Sequence, residues 1–160
     1  MATTTTFAAI RDNMVTVIQA LTPASLPDTT FKRLPANHEL RTWALQNGST
    51  AVFRRFQVLR GGSEEATLLD PDAFERNEVA FLSVAYPALP GLGGPDDLQD
   101  LDDTMRADAR ALRDAIFSAD NYLAGQSLAS VTIEAPDRSD DAVWFQDFTI
   151  QLIYLEAQSL

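Results

Sequence analysis

The segment 142–156, Ala-Val-Trp-Phe-Gln-Asp-Phe-Thr-Ile-Gln-Leu-Ile-Tyr-Leu-Glu, restricts the fold more than any other part of the chain. Successive side chains of a strand point to opposite faces of its sheet. Trp144, Phe148, Ile150, Leu152 and Tyr154 then share one face, and Phe145, Ile153 and Leu155 share the other. A strand that is apolar on both faces belongs in the middle of a sheet, or has its second face covered by a helix or a partner. The rest of the chain must supply neighbouring strands and a covering layer.

Two stretches have the period of a covering helix. Phe7, Ile10, Met14, Val17 and Leu21 recur at three-and-four spacing over 6–21, with Thr6 as N-cap and Pro23 beyond the end. Leu98, Leu101, Met105, Ala109, Leu112 and Ile116 do the same over 98–119, with Asp100, Asp102 and Asp103 near the positive end of the helix dipole. Asp102 with Arg106 and Arg110 with Asp114 have the spacing of surface ion pairs on that helix. A shorter helix is expected over 37–46, capped by Asn37, with Leu40, Trp43 and Ala44 on one face and Asn47-Gly48 as its stop.

Strands are expected at 50–60, 77–86, 129–135 and 142–156, with a short one near 30–34. The polar run 136–141 joins the last two long strands as a hairpin connection. The three prolines and three glycines of 87–95 make that stretch a loop. Residues 61–76 read as a long connection opened by Gly61-Gly62, with one helical turn starting at Asp70-Pro71. The order predicts one α+β domain over 1–160, a mostly antiparallel sheet with two long helices packed on it.

Charge is unevenly placed. Eleven arginines and Lys32 stand against 23 acidic residues, a net charge of −11. Residues 1–60 carry a net of +4 and residues 61–160 a net of −15. Overall acidity repels phosphate backbones, so sequence-independent nucleic-acid binding is not expected, and no sequence-specific nucleic-acid partner is expected either. A basic part and an acidic part on one chain can be complementary between neighbouring copies. An acidic surface that simply keeps the chain soluble is the alternative.

Few residues are equipped for catalysis. With no cysteine there is no thiol nucleophile, thiolate zinc site or disulfide. His38, the only histidine, has no nucleophile motif around it and reads as a surface or capping residue. Asp96, Asp97, Asp100, Asp102 and Asp103, and likewise Asp137, Asp140 and Asp141, lack the alternating spacing of a calcium loop and read as caps and solvated turns. Gly91-Leu92-Gly93-Gly94 runs into Pro95-Asp96-Asp97, and those carboxylates would repel a phosphate. No enzyme activity, metal or cofactor is expected. Apolar runs fall short of a membrane span, so no membrane partner is expected, and Met1–Thr6 lack a basic stretch followed by an apolar core, so no signal peptide is expected there.

The order of elements resembles the tail-terminator (tail-completion) proteins of long-tailed bacteriophages. The likeness runs through the opening helix ending Val17-Ile18-Gln19-Ala20-Leu21, the strand 51–60, and the strand 78–86 with its Pro/Gly loop. It continues through the helix 98–119 and the closing hairpin from Ser130-Val131-Thr132-Ile133 to 144–156. The short helix at 37–46 and the long 61–76 connection depart from the pattern. The resemblance implies a structural virion protein of the head-tail junction, assembled in the host cytoplasm. It implies a homohexameric ring that caps the tail-tube protein and meets the head-tail connector protein, with DNA passing through the lumen. Two alternatives stand beside it: an acidic dimeric secretion chaperone, or another head-tail joining protein. A ring closes through contacts between two different patches. The charge split then leads to the expectation that Arg54, Arg55 and Arg60 face Glu64, Glu65, Asp70 and Asp72 of an adjacent copy.

Overall fold

In the computed structural model, residues 3–23, 29–35, 37–47, 52–70, 73–89 and 94–157 are described. Among them, helix α1 spans Phe7–Ala20, strand β1 Lys32–Arg33, helix α2 Leu40–Asn47, strand β2 Arg55–Asp70 and strand β3 Ala73–Pro87. Helix α3 spans Leu98–Phe117, strand β4 Gln126–Ile133 and strand β5 Val143–Ala157. The strands form a five-stranded sheet in the order β1-β2-β3-β5-β4. Only β1 and β2 run parallel; the other three pairings are antiparallel. The expected α+β architecture and the central position of the last strand both hold.

Two cores lie on opposite faces of the sheet. One face carries Phe56, Val58, Ala80, Leu82, Val84, Tyr86, Phe148, Ile150, Leu152 and Tyr154. Helix α1 covers it with Phe7, Ile10, Met14, Val15 and Ile18, and α3 with Leu101, Met105, Ala109, Leu112 and Ile116. Among the described residues, the other face is covered only at one end, where Leu40 and Ala44 of α2 meet Val52, Ala85, Val143 and Phe145. Burying each large apolar side chain contributes about 1.5–3 kcal/mol, so the double-helix face dominates stability.

Helix ends follow the sequence with one correction. The Thr6 side-chain oxygen accepts the Ala9 N–H at 3.1 Å, and the Asp97 carboxylate accepts from Gln99 at 2.7 Å. Helix α2 is capped by Glu39 rather than Asn37. Its carboxylate accepts the Arg41 and Thr42 N–H groups at 3.0 and 2.9 Å. The Thr42 hydroxyl, donating to the same carboxylate at 2.6 Å, and the Thr42 N–H hold the Glu39 carboxyl below the usual carboxylate range. The buried stripes also shift: Val15 and Ile18 are fully inside, Val17 and Leu21 are half-buried with Leu21 packed against the core, and Leu98 is 51% exposed.

The largest correction concerns 61–76. Instead of a connection with a helical turn, β2 continues to Asp70 and pairs antiparallel with β3 from Glu64–Glu78 to Asp70–Ala73. Pro71, the first position of that expected turn, lies outside the described residues. Strand β2 also starts at Arg55, five residues later than its expected beginning at 50. Gly61-Gly62 looked like a stop because the strand bulges there, with a register shift between Arg60 and Glu64. A Cβ on Gly61 would lie 2.7 Å from the Val79 carbonyl oxygen, so only glycine allows the two backbones this approach. Beyond the bulge, Glu64 to Leu68 are all exposed, so no apolar alternation marks the strand.

Candidate functional site

Of the three arginines expected on a neighbour-facing surface, Arg54 is elsewhere. It is fully buried, and its guanidinium donates to both Asp108 oxygens at 2.7 and 3.0 Å. The Tyr86 hydroxyl donates to the same carboxylate at 2.7 Å, and the Thr29 carbonyl accepts from Arg54 at 3.0 Å. Phe31 and Phe53 lie under the guanidinium, 5.6 and 5.0 Å from it. Burial, with the Asp108 charge next, pushes the Tyr86 hydroxyl well above its ordinary range. Arg54 also has a φ of 59°, a left-handed conformation costing a non-glycine residue about 1–3 kcal/mol. Its N–H donates to the Ala85 carbonyl at 2.9 Å and its carbonyl accepts the Lys32 N–H at 3.2 Å. Arg54 therefore ties α3 and the β1 segment to the sheet within one chain, which corrects its expected place at an inter-subunit contact.

The other expected interface residues are distributed along the hairpin. Arg55 lies 5.2 Å from the Trp43 ring. Arg60, 57% exposed, pairs at 3.0 Å with the buried Glu78. Glu64 pairs within the chain, 3.5 Å from Arg76. Glu65 is exposed. Asp70 ends β2, and Asp72 lies outside the described residues. The basic strand and the acidic run are thus consecutive parts of one extended strand, and the bulge separates them.

Two buried acids, Asp108 and Glu78, were missed, and both had a sequence signal. Asp108 stands on the α3 stripe one turn after Met105 and one before Leu112. Glu78 has the same parity as Ala80, Leu82, Val84 and Tyr86, so it faces the core. Tyr154 donates its hydroxyl to Glu78. Burial pushes the Glu78 carboxyl above its ordinary range; the Tyr154 bond opposes this, adjacent Glu64 adds to it, and Arg60 opposes it. A carboxyl raised by folding is most stabilising while protonated, below its unfolded value. That contribution fades as pH rises through the folded value. Glu78→Gln is therefore expected to raise the urea midpoint at pH 8, with the gap narrowing toward pH 5. Parallel pH profiles for the two proteins would contradict the assignment.

The ion pairs expected along α3 are also rearranged. Asp102 pairs with Arg138, whose guanidinium lies 5.0 Å from the Trp144 ring, and Asp114 pairs with Arg113 at 3.0 Å. Arg106 and Arg110 are left exposed with no acidic partner among the described residues. They line a groove of about 280 Å³ between α3 and the segment after β4.

The remaining polar clusters are accounted for by local bonds. Arg41 donates to Asp137 at 2.7 Å and to Asp147 at 2.8 Å, while Ser139 holds the Asp137 carboxyl below its ordinary range. Asp140 accepts the Ala142 and Val143 N–H groups. His38 is exposed, and its carbonyl accepts from the Gln57 side chain at 2.7 Å. Gly91, Leu92 and Gly93 lie outside the described residues. Among the described residues, no group of three or more His, Asp or Glu side chains is arranged to hold a metal ion, and no helix is long and apolar enough to cross a membrane. No protein-family model matches the chain, and no curated protein matches it in sequence.

Proposed function

We propose that this chain is a structural, non-enzymatic virion protein: a tail terminator that forms a homohexameric ring, caps the tail-tube protein and meets the head-tail connector. The observation that carries the reading is the β2–β3 hairpin. Strand β2 pairs with β1 only at Arg55 and Phe56. From Gln57 to Asp70 its outer edge has no neighbouring strand among the described residues. A long exposed edge is a liability that proteins normally blunt or cover. Here it carries charge, a bulge and the exposed Leu59 and Leu68, which suits a surface covered by another subunit. The net charge of −11 suits a lumen through which DNA passes without adhering.

The test is assembly. Sedimentation velocity and native mass spectrometry of the purified chain should show monomers in exchange with hexamers. Electron microscopy with the cognate tube protein should show tubes of fixed length, closed at one end. A constitutive dimer that holds an unfolded partner segment would favour the secretion-chaperone reading instead. A monomer at every concentration, with no effect on tube growth, would refute the terminator reading.

A further inference from the structure

We propose that the groove between α3 and the segment after β4 receives the acidic β2–β3 hairpin of a second copy of this chain. The inference rests on the ring reading above and names the two surfaces that meet.

The groove is a local reversal of charge in an acidic chain. Arg106, Arg110 and Arg138 line it around an apolar floor that includes Met105, Ala109 and Ile133. Two carboxylates also line it, and both are engaged: Asp102 pairs with Arg138, and Glu134 accepts the Thr149 hydroxyl at 2.8 Å. Arg106 and Arg110 are the cations left to bind something else. They stand four residues apart on one helix, about 6 Å along its axis.

The hairpin offers the matching arrangement. Glu65 pairs in register with Asn77, and Thr67 with Glu75. Glu65 and Glu75 are therefore diagonal neighbours on one face of the sheet, about 7–8 Å apart. Neither has a cationic partner among the described residues, whereas Glu64, on the opposite face, is paired with Arg76. Beside them on β5 lie half-buried Ile153, opposite Asn77, and Leu155, opposite Glu75. Two carboxylates with apolar neighbours thus have the spacing of two arginines above an apolar floor.

One chain cannot make this contact with itself. The groove lies at the β4 edge on the face covered by α1 and α3. Glu65 and Glu75 lie toward the β2 edge on the opposite face. A contact between two different patches is heterologous and propagates head to tail until it closes. Exposed charge pairs of this kind are screened by salt, so the contact should weaken as ionic strength rises.

The test is a charge swap read by sedimentation velocity, with circular dichroism as the control for folding. Arg106→Glu with Arg110→Glu should weaken self-association at least ~10-fold. Glu65→Arg with Glu75→Arg should do the same. Mixing the two variants one to one, or combining all four substitutions in one chain, should restore assembly. The inference is overturned if wild type assembles and either double reversal assembles equally well. It is also overturned if both double reversals fail and neither mixing nor the fourfold variant restores assembly; in either case the ring reading survives. A wild-type chain that stays monomeric overturns this inference alone; the ring reading falls with it only if the chain also has no effect on tube growth.

Discussion

Asp108→Ala is expected to destabilise the fold by about 3–5 kcal/mol, because it leaves the Arg54 guanidinium buried without its counter-charge. Arg54 is fully buried, and Asp108 accepts from both its guanidinium and the Tyr86 hydroxyl. Against a total stability of roughly 5–15 kcal/mol, that loss is a large part of the whole. For a chain of this length it corresponds to a fall in Tm of roughly 10 °C. Arg54→Met combined with Asp108→Leu should cost less than the sum of the two single changes, since neither charge is then stranded. Urea titrations followed by tryptophan fluorescence would measure Asp108→Ala, the two single changes and their combination. An Asp108→Ala protein within ~0.5 kcal/mol of wild type would refute this account.

Phe148→Ala is the second substitution with a large expected effect, about 3–5 kcal/mol. Phe148 is fully buried in the central strand, in register with Leu82 on one side and Ile133 on the other. Truncation opens a cavity beneath the helix layer that rigid neighbouring strands cannot close. Phe81→Ala is the internal control. Phe81 is adjacent to Leu82 in β3 but points to the opposite, half-covered face, where it is 45% exposed. Its loss should cost less than ~1.5 kcal/mol. Equal costs at the two positions would mean that the two faces of the sheet are not the unequal cores described above.

The fold was legible wherever burial left a period in the sequence. Strand β5, flanked by β3 and β4, declared its interior place through Trp144 to Leu155. Helix α3 declared its stripe through Leu101 to Ile116. The distal half of β2 had no such period, because Glu64 to Leu68 are exposed whichever way they point. A glycine pair that bulges a strand also has the same composition as one that ends it. The buried acids were harder for a different reason. Charge on a core parity is a signal only once the parity is known, and the cation that neutralises Asp108 lies 54 positions earlier in the chain. Of the two surfaces we propose to meet, the acidic one was singled out in sequence at Glu64 and Glu65, within an expected connection rather than a strand, and the basic one was placed on Arg54, Arg55 and Arg60 because they cluster in sequence. Arg106 and Arg110 were read as paired along their own helix, and only the structure shows their acidic neighbours turned to Arg138 and Arg113.

The central seam between β3 and β5 has a consequence for synthesis on the ribosome. Hairpins β2–β3 and β4–β5 each join strands close in sequence, but the seam pairs Pro87 with Val143 at one end and Ala73 with Ala157 at the other. At roughly 5–20 residues per second, β3 emerges on the order of ten seconds before its partner. Throughout that interval Ala80, Leu82, Val84 and Tyr86 lie along an open strand edge with no β5 beside it. Lower temperature lengthens that exposure but weakens apolar association, while a chaperone that holds extended segments shortens the time the edge is free. Soluble yield should therefore respond more to chaperone supply during translation than to refolding conditions afterwards.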